Sequence, residues 1–324
     1  MTSLRCALLA LVLGASLSGQ ATLAIVEKKA GKVGFYTEEG RRLGEVQVGH
    51  LPHEMAFSPD RRLLYVTDNG MLWMTDPGEG GNSISIIDVR SRHKTGTIDL
   101  GNFRRPHGIA VLPRTGEIVV TIENPYGLLR IDPVARKVVR KYDVAGNSPH
   151  MVVLADGTAW VSDSGSGAVA VVNLVSGAVD ALIPTGKNPQ GAALSPDGKR
   201  FYVTNMESNS ISIVDAQTRR VEGEIRTGTG PARVFVTPDG KTLVYNLQTG
   251  QAMGFADLAT RLETARIPLP GQPLSVSLSR DGQTAYLGIQ DSDKVVIVSV
   301  PQRKIVRVFD TPPGAGPDTV EPLF

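Results

Sequence analysis

The sequence has 324 residues, of which 41% are hydrophobic and 20% charged, and it includes 35 glycines and 21 prolines. This balance excludes a disordered chain and a collagen-like one. The formal net charge is only +2, from 34 basic and 32 acidic residues. The chain therefore lacks the basic surface that nucleic-acid binding requires, and no nucleic-acid partner is predicted.

The N-terminus has the pattern of a secretory signal peptide. Arg5 supplies the positive start, an apolar run extends from Cys6 to Leu17, and small residues follow. The run is too short to cross a bilayer, so we predict a signal peptide over residues 1–21 rather than a membrane span. The one cysteine lies inside this segment, so the mature chain has no disulfide. We expect an exported protein, periplasmic or extracellular, without a membrane span.

A phrase containing proline recurs along the rest of the chain, roughly every 42 residues. Its first three members are "LPHEMAFSPD", "RPHGIAVLP" and "SPHMVVLADG". Four short pieces rich in β-branched residues lie between successive prolines, separated by Gly, Asp and Asn turns. Four short antiparallel strands in each repeat are typical of a propeller blade. The repeat prolines are Pro52, Pro106, Pro149, Pro189, Pro231, Pro273 and Pro317.

The two ends of the repeat array predict how the ring closes. The residues after the signal peptide supply three strands, "LAIVEK", "KVGFYTEE" and "RLGEVQVG", but no innermost strand, and "GPDTVEPLF" supplies it from the other end. Residues 22–324 are therefore predicted to form one all-β domain, a seven-bladed β-propeller with four-stranded antiparallel blades. The C-terminal strand joins the N-terminal blade, because β proteins avoid open sheet edges. We expect a monomer.

Four of these pieces, "LYVTD", "FYVTN", "SISIIDV" and "SISIVDA", resemble the YVTN-type repeats of bacterial β-propellers. The resemblance covers nearly all of the chain after the signal peptide. It implies an exported or surface-layer propeller. Because some related seven-bladed propellers are lactonases or lyases, the resemblance leaves open whether the protein is an enzyme.

The residue after each repeat proline opens the innermost strand, which places it at the mouth of the central channel. Three interpretations of the resulting ring remain open. Three imidazoles suit a divalent metal such as zinc, copper or iron, with the aspartate as a fourth ligand or as a partner of one histidine. They equally suit a metal-free pocket that binds an anion or transfers protons, or a polar lining with no ligand. In ring order these residues are Asp318, His53, His107, His150, Gln190, Ala232 and Leu274.

Two further features predict residues around this mouth. Asp68 and Asp163 end the second strand of their repeats, so we expect them to approach His53 and His150 from behind, or else to bond the turning backbone. The second repeat carries an insertion, "NGMLWMTDPGEGG", whose Trp73 is expected to form a lid, a ligand wall or a packing contact on the rim. Tyr126 lies in the matching loop of the next repeat.

Taken together, these patterns predict an exported binding protein with a His-rich ligand or metal site at the channel mouth. The partner would be a small molecule or a protein on this face. Two alternatives stay open: a metal-assisted lactonase or lyase on the same face, and an interaction scaffold that contacts its partner through the Trp73 loop. The sequence contains no GxSxG elbow, P-loop or HExxH motif, so no specific catalytic motif decides between them.

Overall fold

Residues 20–324 are described by a computed structural model, and the predicted signal peptide falls almost entirely outside this range. The described residues form 28 β-strands and no α-helix. Nothing in this range offers a helix of the length and apolarity that crossing a bilayer requires.

The strands form seven antiparallel sheets of four strands each, which are the blades of the predicted propeller. From the channel outward, blade 1 contains β28 (Pro317–Pro322), β1 (Leu23–Glu27), β2 (Lys32–Tyr36) and β3 (Arg42–Gln47). Blade 2 contains β4 (Pro52–Phe57), β5 (Leu63–Asp68), β6 (Ser83–Asp88) and β7 (His93–Asp99). Blade 3 contains β8 (Arg104–Val111), β9 (Ile118–Asn124), β10 (Tyr126–Asp132) and β11 (Lys137–Tyr142).

The remaining blades repeat this order. Blade 4 contains β12 (Pro149–Ala155), β13 (Thr158–Asp163), β14 (Ala168–Asn173) and β15 (Val179–Pro184). Blade 5 contains β16 (Pro189–Leu194), β17 (Arg200–Asn205), β18 (Ser210–Asp215) and β19 (Arg220–Arg226). Blade 6 contains β20 (Pro231–Val236), β21 (Thr242–Leu247), β22 (Ala252–Asp257) and β23 (Leu262–Pro268). Blade 7 contains β24 (Ser277–Leu278), β25 (Thr284–Ile289), β26 (Lys294–Ser299) and β27 (Lys304–Asp310).

The ring closes in the predicted way, through β28. This strand pairs antiparallel with β1, with Leu23 opposite Pro322 and Ile25 opposite Val320. The prediction of fold class, blade count and closure is therefore confirmed. Blade 1 is built from both ends of the described chain, so its innermost edge is covered.

The apolar core lies between neighbouring blades rather than in the channel. Between blades 4 and 5, for example, the rings of Trp160 and Phe201 pack with centroids 4.8 Å apart. Between blades 1 and 7, Tyr36 and Phe309 pack at 5.8 Å. Because side chains alternate along a strand, each blade contributes to the apolar layers on both of its faces. Short β-branched runs therefore recur throughout the sequence.

The innermost strands share an irregularity that decides which side chains reach the channel. In blade 2, Pro52 pairs with Asp68 and Met55 with Val66, so two residues, His53 and Glu54, stand opposite one. Such a β-bulge re-aims side chains and lets two consecutive residues face the same space. The same register shift occurs beside the repeat proline in blades 1 and 3 to 6.

Candidate functional site

The three histidines that follow repeat prolines meet at the channel mouth. The ring centroids of His53 and His107 are 4.3 Å apart with their planes at 74°, and those of His107 and His150 are 4.1 Å apart at 52°. All three side chains are buried. The three rings therefore form one continuous cluster, although they come from blades 2, 3 and 4.

A glycine makes the close approach of blades 3 and 4 possible. Gly108 follows His107, and a Cβ atom at this position would lie 2.4 Å from the carbonyl oxygen of His150. Any other residue would push the two blades apart. The backbone of Gly108 instead donates a hydrogen bond to Oγ1 of Thr121, at 2.8 Å.

Each histidine has its Nδ1 atom in contact with an oxygen acceptor. Nδ1 of His53 lies 2.5 Å from Oδ2 of Asp318, and Nδ1 of His107 lies 2.6 Å from Oε1 of Glu123. Nδ1 of His150 lies 3.2 Å from the backbone oxygen of Gln190. These contacts fix the ring orientations and direct the Nε2 atoms elsewhere. Nε2 of His107 is buried and has no hydrogen-bond partner.

The surroundings of the cluster favour neutral imidazoles at His107 and His150 and an ionised Asp318. Burial, with His150 and His53 nearby, lowers the pKa of His107 well below its usual value, and burial with Arg233 nearby does the same for His150. Burial alone would raise the pKa of Asp318, but His53 and Lys28 outweigh it and hold that pKa below its usual value. Asp318 is thus an acceptor, to which Nδ1 of His53 donates.

Glu123 differs from Asp318 in its protonation. Burial raises the pKa of Glu123 to about 7, although Arg105 opposes the shift. The nearest Arg105 nitrogen is 3.7 Å from Oε2 of Glu123, too far for a hydrogen bond. Near neutral pH this carboxyl group can therefore either accept or donate a proton at Nδ1 of His107.

An ion pair crosses the channel directly below the histidines. The guanidinium of Arg233, from blade 6, donates to Oε1 of Glu54, from blade 2, with Nε at 3.1 Å and Nη2 at 2.5 Å. The hydroxyl of Thr319 donates to the other oxygen of Glu54 at 3.2 Å. Both charged side chains are buried. The pair closes the floor of the site.

Glu54 also completes a ligand set that could hold a metal ion. One ligand atom each from His53, Glu54 and His107 lies within 4.8 Å of the other two, and all three residues are buried. This set differs from the predicted trio, because Glu54 takes the place of His150. The bulge explains the difference, since it turns His53 and Glu54 toward the same space.

A cavity of about 1090 Å³ opens above this floor. Gln190, Trp73 and Tyr126 line it, as do the three histidines and Arg233. One wall is the inserted loop, and we call its residues Met71–Met74 the hood. Trp73 and Tyr126 are 40% and 48% exposed, so both rings are available to a molecule in the cavity.

Arg105 fixes the backbone of the inserted loop. Its guanidinium donates to the carbonyl oxygens of Met74 at 3.1 Å, Asp76 at 2.9 Å and Gly78 at 2.6 Å. The base of the loop is closed by a hydrogen bond from the Gly81 N–H to the Asn69 oxygen at 2.7 Å. Arg105, two residues before His107, thus positions the inserted loop that carries the hood.

Of the two interpretations of Asp68 and Asp163, the structure agrees with bonding to the turning backbone and not with an approach to the histidines. Asp68 accepts hydrogen bonds from the Gly49 N–H and from two serine hydroxyls, at 2.7 to 2.8 Å. Asp163 accepts from three backbone N–H groups at 2.8 to 3.2 Å. Both carboxylates therefore stabilise turns, and neither lines the cavity. The carboxylates beside histidines are Asp318 and Glu123.

The reason for this difference is the alternation of side chains along a strand. Asp68 and Asp163 pair with repeat prolines. The next residue along the chain lies on the other face of the strand, because side chains alternate, and in blades 1 to 6 it faces the channel. Residues at this next position line the cavity in blades 1 to 6: Lys28, Asn69, Glu123, Ser164, Met206 and Gln248. These residues directly follow the YVTN-type strand of their repeat, and that position is the sequence signal that would have located them.

The family model of the choice-of-anchor I domain matches residues 18–192, more than half of the chain. The chain belongs to this family. The YVTN-type strands are consistent with a bacterial propeller family, but the comparisons do not show the YVTN family itself. No curated protein matches the chain.

Three solved structures are similar to this choice-of-anchor I chain. A functionally unknown protein from Desulfotomaculum acetoxidans is 13% identical with a TM-score of 0.76, over 94% of this chain and 99% of that one. Hydrazine synthase of Kuenenia stuttgartiensis is 19% identical with a TM-score of 0.67, over 80% and 86%. The dihydro-heme d1 dehydrogenase NirN, in complex with DHE, is 17% identical with a TM-score of 0.66, over 94% and 77%. At these identities the likeness establishes the fold alone.

Proposed function

We propose that this protein is an exported binding protein that holds a divalent transition metal on His53, Glu54 and His107 and uses it to bind a small molecule in the cavity. This proposal rests on the contacts of the two ring nitrogens of His107. Its Nδ1 is tied to Glu123 at 2.6 Å, while its Nε2 is buried without a partner. When Glu123 is ionised, Nδ1 of His107 carries the ring proton and Nε2 presents a lone pair, and a buried nitrogen in this state is costly unless a ligand satisfies it.

The contacts around the ligand set support a metal. Histidines that bind metals commonly donate the other ring N–H to a carboxylate or a carbonyl oxygen, which fixes the tautomer and raises ligand basicity. Asp318 serves His53 in this way, and Glu123 serves His107 when it is ionised. Two imidazoles and one carboxylate suit zinc, iron or copper, and they leave coordination positions open toward the cavity.

The charges near the floor are consistent with this assignment. Glu54 is balanced by Arg233, and Asp318 by Lys28, whose Nζ lies 3.3 Å from Oδ2. A carboxylate oxygen can accept more than one partner, so the bonds from Arg233 and Thr319 leave Glu54 able to bind a metal. Export rests on the signal-peptide pattern, with cleavage after Ala21.

The test is the metal content of the purified mature protein, measured for zinc, copper and iron, followed by titration of the metal-stripped protein. We expect one metal per chain. His107→Ala and Glu54→Gln should each lose most of the affinity, because each removes a ligand. The control is His93→Ala, since His93 is exposed on an outer strand. A protein without stoichiometric metal, or equal affinity in His107→Ala and wild type, would overturn the proposal.

Catalysis is a second candidate, favoured by Glu123. This carboxyl group lines the cavity, contacts His107 and titrates near neutral pH, as a general acid or base should. A metal-assisted lactonase or lyase would use the metal to polarise a carbonyl group. Turnover of a panel of lactones and esters separates the candidates. Hydrolysis that disappears in Glu123→Gln while metal content stays at wild-type level would favour the enzyme, and no turnover would favour the binding protein.

A further inference from the structure

We infer that the cavity binds a planar aromatic carboxylate, with its carboxylate on the floor and its ring system under the hood. This inference rests on the proposed function, because the metal supplies the positive charge that would hold the anion.

The floor carries no excess charge of its own. The carboxylates of Asp318 and Glu54 are matched by Lys28 and Arg233, and Glu123 lies 3.7 Å from Arg105. A divalent metal on His53, Glu54 and His107 would therefore leave the floor positive. A neutral or cationic ligand would not compensate that charge, whereas an anion would, and in a buried setting the difference is large.

Lys28 provides a second contact for the anion. It is buried at the cavity floor, with its Nζ 3.3 Å from Oδ2 of Asp318. Its Nζ also lies 3.1 Å from Nδ1 of His53, but that nitrogen donates to Asp318, so it is not available to Lys28 as an acceptor. An ammonium group has three donors, so Lys28 retains N–H groups for a ligand. A carboxylate has two oxygens, one for the metal and one for Lys28.

The hood favours a flat apolar body. Met71, Leu72 and Met74 line the cavity beside Trp73, and Tyr126 lines it from the next blade. Methionine sulfur and aromatic rings both make favourable contacts with a π-system. Arg105 holds the backbone of the inserted loop through the carbonyl groups of Met74, Asp76 and Gly78, so the hood side chains are presented without the entropy cost of ordering a free loop.

The part of the cavity wall that blade 4 supplies leaves room for such a body. It is formed by short or absent side chains, among them Ser164, Gly165, Ser166 and Gly167. The total volume of about 1090 Å³ is at the upper end for small-molecule sites, so a ring system of several fused rings can be accommodated.

The experiment uses three probes with the metal-loaded mature protein, by isothermal titration calorimetry. The probes are 2-naphthoate, its neutral analogue 2-naphthamide, and acetate, which has the carboxylate without the rings. We expect 2-naphthoate to bind at least roughly tenfold more tightly than either analogue, which corresponds to about 1.4 kcal/mol. Stripping the metal with a chelator should abolish the preference over 2-naphthamide.

Two variants test the hood. Trp73→Ala combined with Tyr126→Ala should weaken 2-naphthoate binding roughly tenfold, since each aromatic contact contributes about 0.5–1.5 kcal/mol. Both side chains are exposed, so the variant should keep the wild-type unfolding temperature. The matched control is Phe324→Ala, an aromatic ring that is 60% exposed and does not line the cavity. It should bind 2-naphthoate as the wild type does.

The outcomes separate this inference from the proposed function. If metal binds but 2-naphthoate binds no more tightly than 2-naphthamide or acetate, the inference is overturned and the metal site stands. If the Trp73 and Tyr126 variant binds 2-naphthoate as tightly as the Phe324 variant, the hood is not the ligand wall and the inference is likewise overturned. If no metal binds, both the proposed function and this inference are overturned.

Discussion

The closing strand β28 can be removed by ending the chain before residue 313. Without it, blade 1 loses its innermost strand and β1 is left with an unpaired edge. Exposed edges of this kind destabilise β proteins and promote association between chains. We expect the shortened protein to lose stability over the whole ring rather than in one blade, because blades 7 and 2 both contact β28.

The expected loss in the free energy of unfolding follows from the side chains and hydrogen bonds that residues 313–324 contribute. Val320 and Leu323 are almost completely buried, and each side chain contributes about 1.5–3 kcal/mol. Hydrogen bonds from Ser275 to the Asp318 oxygen and from Thr319 to the His53 oxygen join β28 to blades 7 and 2. Directly after β28, the Leu323 N–H donates to the Thr22 oxygen within blade 1. At about 0.5–1.5 kcal/mol each, the total reaches about 5–10 kcal/mol. Whole domains are stable by about 5–15 kcal/mol.

The assay is thermal unfolding of the full and shortened mature chains, followed by circular dichroism. We expect the shortened chain to be unfolded or to melt far below the full one. Removal of Phe324 alone is the control, because this residue is 60% exposed and should leave the midpoint unchanged. A midpoint that stays the same after removal of residues 313–324 would refute the role assigned to β28.

Three further predictions concern single parts of the molecule. Replacing residues 70–81 with a short turn should leave the unfolding midpoint intact, since this loop projects from the propeller face, but it should weaken 2-naphthoate binding in calorimetry; undiminished binding would count against the hood. Asp318→Asn should lower metal affinity about 10–100-fold in titrations, because Asp318 orients His53; unchanged affinity would contradict that role. Burial, with Glu54 nearby and Arg61 opposing, raises the pKa of Glu321 to about 8, so the folded protein keeps a proton that the unfolded chain releases above about pH 4.3, and stability should fall as pH rises toward 8. Glu321→Gln should flatten this fall and add about 1–3 kcal/mol at pH 7 in urea unfolding; identical pH profiles would contradict the assignment.

The sequence was sufficient to predict the fold because the repeat is a property of the covalent chain. The repeat prolines recur at nearly constant intervals, and the pieces between them have the length and β-branched character of strands. Position within a repeat then fixes position within the ring. That is why His53, His107 and His150 could be placed together, although 97 residues separate the first from the last.

The rest of the site depends on features that the repeat does not encode. Glu54 reaches the metal-capable set only because a bulge places it beside His53, and bulges are not visible in the pattern of residue types. Glu123 and Lys28 were not predicted, because the position expected to face the histidines lies one residue before the one that does. Arg233 meets Glu54 only after the ring has closed, since 179 residues separate them and no local pattern relates them.

Closure by β28 also determines when the site can exist. Among the described strands, β28 is the last to be synthesised, and it carries Asp318, which orients His53. A nascent chain that has completed blades 2 to 4 already holds all three histidines but cannot yet bind as the finished protein does. A ligand that recognises only the closed ring favours the closed ring by mass action, by about 2.7 kcal/mol at a concentration of 100 times its Kd. The bound molecule would therefore stabilise β28 in its place beside β1.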